Sequence, residues 1–215
     1  MKFTVITIFP QLIEDYFKEG ILSRALKQKQ VELTTISPRK FTHDVHQKVD
    51  DIPYGGGAGL VMKLEPIVAA IRSVTKKPAS RRIILMDPRG KRFTQKEAKR
   101  LTKYDELIFI SGRYEGIDER IKHYIDEKIS IGDFVLMGGE LPAVTIMEAV
   151  ARLIPGVLHH PDSAKFESFS EGDNLEHPQY TRPEIFEGHR VPKVLLSGHH
   201  GKVDEWRGKN AKKTK

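Results

Sequence analysis

RRIILMD (81–87), ELIFIS (106–111) and KFTVITIF (2–9) decide the fold. The first two are apolar runs of strand length, each stopped by a turn residue, Pro88 and Gly112. The third is rich in β-branched residues and ends at Pro10. Runs with no polar side fit strands buried on both faces, as in a parallel sheet covered by helices. Outward from these strands the patterns alternate. Pro10 opens a helical pattern that breaks at Gly20 and runs towards Gln30, and VELTTI (31–36) alternates as a strand. Residues 38–59 are irregular and polar, and Leu64 to Val74 reads as a helix. Thr94 with Glu97 three residues on has the form of a capping box at the next helix start. IDERIKHYI (117–125) reads as helical, KISIG and FVLMGG as extended, and Pro142 to Ile154 as a helix with proline at its first position. Alternating strands and helices define the α/β class: a mostly parallel sheet with helices on both faces.

The 215 residues carry 39% hydrophobic and 30% charged side chains, the balance of a folded globular chain. No apolar run approaches the roughly 20 residues that span a bilayer, so no membrane partner is expected. MKFTVITIFPQLIEDY has acids soon after its apolar stretch and no small-residue cleavage site, so no secretory signal is expected and the cytoplasm is the default compartment. With no cysteine, disulfides, Cys-ligated zinc, iron–sulfur clusters and thiol catalysis are excluded. Net charge is +7, unevenly spread. Residues 72–103 hold twelve Lys/Arg against two acids, and residues 186–215 eight against three, while residues 104–140 hold four against nine. Two basic blocks around an acidic middle suit a polyanion partner, and equally a solvated helix face and a solubilising tail. From Pro161 to about Pro183 the chain is polar with no apolar period, as in a linker. Residues 184–207 follow as a unit too small for a core of its own.

Three constellations carry chemistry. PYGGGAG (53–59) has four glycines in five positions, which lets backbone N–H groups approach a phosphate or nucleoside. It is neither a Walker A loop nor GxGxxG, and on glycines alone a flexible turn is the simpler reading. MDPRG (86–90), SGRYEG (111–116) and IGDFVLMGGELP (131–142) are glycine-containing loops at strand ends, where open α/β sheets bind ligands. The helix 142–154 is apolar nearly all round, as in a buried element or a subunit interface. Its one polar stripe is Thr145, Glu148 and Arg152. Arg152 either pairs with Glu148 four residues back or faces a ligand. His159-His160 and His199-His200 lack a third ligand at useful spacing and are read as surface or RNA-facing, so no metal site is expected.

TIFP (7–10), VDDIPYGGGAG (49–59), SGRYEGIDER (111–120), SIGDFVLMGGELPA (130–143), ARLIPGVL (151–158), HPQYTRPEIFEG (177–188) and VPKVLLSGHH (191–200) resemble, in order along nearly the whole chain, the bacterial tRNA (guanine-N1-)-methyltransferase family, the TrmD type. The resemblance implies a SPOUT-type α/β fold with a deep trefoil knot, residues 1–160, a mobile linker 161–176, and a small helical, tRNA-binding C-terminal domain 177–215. It implies a homodimer, S-adenosylmethionine as methyl donor, and methyl transfer to N1 of the guanine at tRNA position 37, in the anticodon stem-loop. Mg2+ is an assisting ion in the family, with no ligand cluster visible here. By motif position, Met86, Asp87, Pro88, Gly112, Tyr114, Glu115, Ile131, Gly132, Asp133, Phe134, Val135, Leu136, Gly138, Gly139 and Pro142 match the family's cofactor pocket. Arg152 matches its catalytic arginine, and Glu167 stands at the catalytic base.

This sequence departs from the family pattern in three places. The base is an aspartate in Asp-Ser-Phe, where this chain has Glu167-Ser168-Phe169. Asp87 stands where a small hydroxyl residue is usual in the cofactor loop. The chain stops soon after VDEWRGK, where the family continues with further helices. The chemistry still fits: neutral guanine carries a proton on N1, a carboxylate can remove it, and an arginine near O6 stabilises the displaced charge. The alternative is a SPOUT-fold tRNA-binding protein with weakened or lost catalysis, against which the retained cofactor loops count.

Overall fold

The computed structural model describes residues 1–74, 80–159, 167–170, 172 and 174–213. The chain divides into two units, Met1–His159 and His160–Lys215. The first opens with β1 (Lys2–Ile6), α1 (Pro10–Tyr16), α2 (Gly20–Lys27) and β2 (Glu32–Ile36). Short β3 (Asp50–Asp51) and β4 (Val61–Met62) precede α3 (Leu64–Val74). Then come β5 (Arg81–Arg92), α4 (Gln95–Leu101), β6 (Glu106–Ser111), β7 (Glu127–Ser130) and α5 (Glu140–Ala151). Five strands form one sheet in the order β2-β1-β6-β5-β7, and every pairing in it is parallel.

ELIFIS is the central strand, and all six of its residues are buried. Its alternate side chains feed two cores. Leu107 and Phe109 join Phe3, Val5, Ile84 and the apolar sides of α1, α2, α4 and α5. Ile108 and Ile110 join Ile6, Leu85 and the buried residues of α3 on the other face. A strand that is apolar throughout is thus one that packs helices on both sides.

Several boundaries differ from the sequence reading. The pattern 117–125 tightens into a 3-10 turn, Glu119–His123, in which the Asp118 carboxylate accepts the Arg120 backbone N–H. FVLMGG is not extended: residues 131–139 form a bent loop between β7 and α5. The last helix begins at Glu140, so Pro142 lies at its third position, where its absent N–H is still one of the orphans of the first turn. Thr94 starts α4 without a side-chain cap bond, and Glu97 bonds Lys91 and Arg100 instead of completing a capping box.

In the second unit β8 (Asn174–Leu175) pairs antiparallel with β11 (Lys212–Lys213), and β9 (Ile185–Phe186) with β10 (His189–Arg190). Two helices, α6 (Lys193–Leu196) and α7 (His200–Asn210), lie between. Trp206 on α7 meets His177 and Tyr180 edge-on. Neither helix has a buried residue. Much of the expected linker 161–176, namely residues 161–166, 171 and 173, lies outside the described residues.

Candidate cofactor cavity and catalytic residues

β6, β5 and β7 are adjacent; the chain leaves the carboxyl ends of β6 and β7 in loops and interrupts β5 with a third after Met86. Met86 and Lys91 of β5 both register with Ile129 of β7, so residues 87–90 form a four-residue excursion from the strand. Gly90 re-enters against β7 so closely that a Cβ there would lie 2.5 Å from the Ile129 nitrogen. After β6 the chain turns through Gly112 to Gly116, with Tyr114 held at φ +58°, a left-handed value that marks strain beside a site. After β7, residues 131–139 return across the strand ends, and the Gly139 N–H donates to the Gly112 carbonyl (2.9 Å). A Cβ on Gly139 would stand 2.8 Å from the Ser111 Cα, and one on Gly138 2.2 Å from the Arg113 Nε.

These loops enclose a cavity of about 430 Å3. That volume lies within the roughly 300–1,000 Å3 of small-molecule sites. Fourteen of the fifteen positions singled out in the sequence line it: Met86, Asp87, Pro88, Gly112, Tyr114, Glu115, Ile131, Gly132, Phe134, Val135, Leu136, Gly138, Gly139 and Pro142. Asp133 does not; it is exposed, 3.4 Å from Arg92. Sequence reasoning missed Arg89, Arg113 and Met137 in the lining, although all three lie inside the quoted loops. Arg113 donates from Nε to the buried Glu140 carboxylate (2.9 Å), whose other oxygen accepts from the Thr7 hydroxyl (2.6 Å). Its guanidinium sits over the Phe9 ring at 4.7 Å. A carboxylate as buried as Glu140 needs such partners, so the ends of β1 and β6 are tied to the start of α5 through one anion. The Ser111 hydroxyl, at the last position of β6, is buried without a hydrogen-bond partner among the described residues. A glycine-walled cavity of this size, with a spare buried donor beside it, fits a nucleoside cofactor.

The glycine-rich loop leans on the same wall. Gly55, Gly56, Gly57 and Gly59 all have positive φ, and Tyr54 at the loop's start is fully exposed. A Cβ on Gly59 would collide with Glu115 at 2.6 Å, and the Glu115 N–H donates to the Leu60 carbonyl (2.9 Å).

Arg152 caps the end of α5 and is exposed. It lines a separate recess of about 480 Å3 with Asp15, Tyr16, Glu19 and Glu148. The Tyr16 hydroxyl donates to the Glu148 carboxylate, which pushes the Tyr16 pKa up. Glu167 lies in the second unit and opens a turn: its carbonyl accepts the Ser170 N–H (3.0 Å). Phe169, at φ +65°, donates to the Asn174 carbonyl, and the Ser168 hydroxyl accepts the Glu176 N–H.

The basic block 72–103 is partly neutralised where it is described. Arg82 and Arg100 bind Glu127, and Lys91 and Arg100 bind Glu97. Among the described residues no group of three or more His, Cys, Asp or Glu assembles as a metal site. No helix among them is long and apolar enough to cross a membrane.

A family profile described as tRNA (Guanine-1)-methyltransferase TrmD matches residues 1–215. The chain belongs to the TrmD family. Curated relatives named tRNA (guanine-N(1)-)-methyltransferase match it along nearly its whole length. That of Desulfitobacterium hafniense is 51% identical over 98% of this chain and 80% of its own. Those of Clostridium acetobutylicum and Dictyoglomus turgidum are each 50% identical over 99% of this chain, and 87% and 86% of their own. As a TrmD-family protein, the chain has the cavity loops, the glycine-rich loop and the helix-ending Arg152 in one unit, and Glu167 in the other.

Proposed function

We propose that this chain methylates N1 of guanine at position 37 of tRNA, with S-adenosylmethionine as donor. The full-length family match, with relatives of about 50% identity named for that chemistry, carries the reading. The cavity at the ends of β5, β6 and β7 supports the donor's place. Its glycine backbones admit a nucleoside, and its walls are largely apolar. When bound, the donor supplies a methyl group on a sulfonium, which is already electrophilic.

The chain's own residues prepare the acceptor. The Glu167 carboxylate takes the proton from N1, and the Arg152 guanidinium stabilises the charge that moves to O6. Glutamate is one methylene longer than aspartate, and a misplacement of about 1 Å can cost on the order of a hundredfold in rate. The bonds around Glu167, Ser168 and Phe169 set its backbone and so support the placement of the longer side chain. The glycine-rich loop, braced on Glu115, faces the nucleotide.

The reading includes a knotted first domain, residues 1–160, supported by the return of 131–139 across the strand ends. It also includes a linker 161–176, a helical tRNA-binding domain 177–215, a homodimer and a cytoplasmic location. The division at His159 and the net +5 of residues 186–215 support the second domain's separate role.

The test is methyl incorporation from labelled S-adenosylmethionine into unmodified tRNA with guanines at 36 and 37, against the same tRNA with adenine at 37. Incorporation into the first alone is expected. Equal incorporation into both would refute the target, and none with the donor bound would refute the activity.

A further inference from the structure

The excursion 87–90 carries a closed ring of four charges. Asp87 lies 2.9 Å from Arg89 and 3.3 Å from Lys128. Glu119, on the 3-10 turn, lies 3.1 Å from Arg89 and 3.0 Å from Lys128. Each cation touches both anions. The Arg89 backbone N–H also donates to Asp87 (2.9 Å), closing the excursion on itself. The ring spans three elements: the excursion, the 3-10 turn and β7. It is graded in exposure, with the side chains of Asp87 and Lys128 10% and 19% exposed and those of Arg89 and Glu119 69% and 52%. Asp87 and Arg89 both line the cavity. Burial alone would raise the Asp87 carboxyl, but hydrogen bonds from Arg89 and Lys128 outweigh it and hold the group ionised, below the usual carboxylate range.

The outer pair, Arg89 and Glu119, is exposed, where ion pairs contribute little, so stability alone does not explain a ring of four charges that reaches the cavity lining. Their arrangement has a consequence for the ligand. S-adenosylmethionine carries a net positive charge, from its sulfonium, and its demethylated thioether product carries none. Arg89 on the wall, with Lys128 behind it, repels the donor unless anions neutralise the two cations.

We propose that Asp87 is a positioning and specificity residue of the cofactor cavity: it closes the ring with Arg89, Glu119 and Lys128, fixes the excursion as one wall, and keeps that wall neutral towards a sulfonium. This rests on reading the cavity as the donor's site. Removal of the Asp87 charge leaves Lys128 and Arg89 facing Glu119 alone, and the wall becomes cationic.

The test measures donor and thioether-product affinities by calorimetry on the full chain at low ionic strength, where screening is weak. Asp87→Asn weakens the donor by about tenfold and the product by less than about threefold. Lys128→Met added to Asp87→Asn restores donor affinity, because the surplus cation is gone. Asp87→Ser repeats the Asp87→Asn result should that variant fold poorly. Equal weakening of both ligands, additive loss in the double variant, or unchanged donor affinity overturns the proposal. Failure of the unaltered chain to bind the donor overturns instead the reading of the cavity, and the proposal with it.

Discussion

Arg152 is the residue at which α5 stops, and its backbone N–H donates to the Glu148 carbonyl (3.1 Å), so the helix end fixes where its side chain starts. If it meets O6 in the transition state, its removal acts on turnover and not on the cofactor cavity, whose lining does not include it. Arg152→Ala is expected to lower kcat by roughly 10²–10³-fold. The donor's dissociation constant stays the same, measured by single-turnover kinetics beside calorimetry. Equal loss of both would make Arg152 structural. Glu167→Gln keeps size and hydrogen bonding but cannot accept the N1 proton. Its kcat is expected to fall by about 10²–10⁴-fold with the donor still bound, and full activity would end the assignment. A crevice at the strand ends was legible because glycines and turn residues there announce a ligand site, while the fourteen positions that line the cavity came from the match to the family's motifs. The bracket Arg113–Glu140–Thr7 was not legible. Its members are distant in sequence, and only the sheet order brings the ends of β1 and β6 to the start of α5. MDPRG was read as a loop at a strand end, but that β5 resumes at Lys91 was not legible, for the same reason: a register that repeats at Ile129 belongs to two strands at once.

At the scale of elements, α4 shows tertiary contacts overriding a local motif. Glu97 stands where a capping box needs it, yet it is buried and turned to Lys91 (2.7 Å) and Arg100 (2.8 Å). Arg100 reaches on to Glu127 of β7 at 2.7 Å, which joins helix to sheet edge. Burial raises the Glu97 carboxyl, but hydrogen bonds from Lys91 and Arg100 outweigh it and leave the group below its ordinary value of 4.5. A depressed carboxyl stabilises the fold fully above the unfolded value and loses that contribution as pH falls through the folded one. Glu97→Gln is therefore expected to lower stability at pH 7 by about 2 kcal/mol. In denaturant melts the gap closes as pH drops below 4.5. A gap constant with pH would refute the ion-pair account. Strand identity was legible here because apolar runs report burial on both faces. FVLMGG (134–139) was misread as extended because FVLM is apolar for a different reason: it walls the cavity and faces outward.

At the scale of the molecule, that outward face is an exposed apolar surface of the first unit. Val135 is 84% exposed and Met137 91%. Leu12 and Tyr16 on α1 and Leu141 on α5 continue the patch around a groove of about 360 Å3. The face belongs to both problems at once, since Arg113, Leu136, Met137 and Gly138 line this groove and the cofactor cavity alike. A contiguous exposed apolar patch on a folded chain marks an interaction site, and two-fold pairing is the commonest way for a chain to cover such a patch with itself. The homodimer reading therefore predicts a light-scattering mass near twice the 24.5 kDa of one chain at micromolar concentration. Met137→Glu places a charge at the centre of the patch. It is expected to weaken association by at least about a hundredfold, because an unpaired buried carboxylate is costly. If dimerisation builds the cavity's outer wall, donor affinity falls in the same variant and recovers as protein concentration rises, since the two equilibria share residues 136–138. A monomeric mass for the unaltered chain would remove the homodimer. A dimer in which Met137→Glu changes nothing would move its interface off this face.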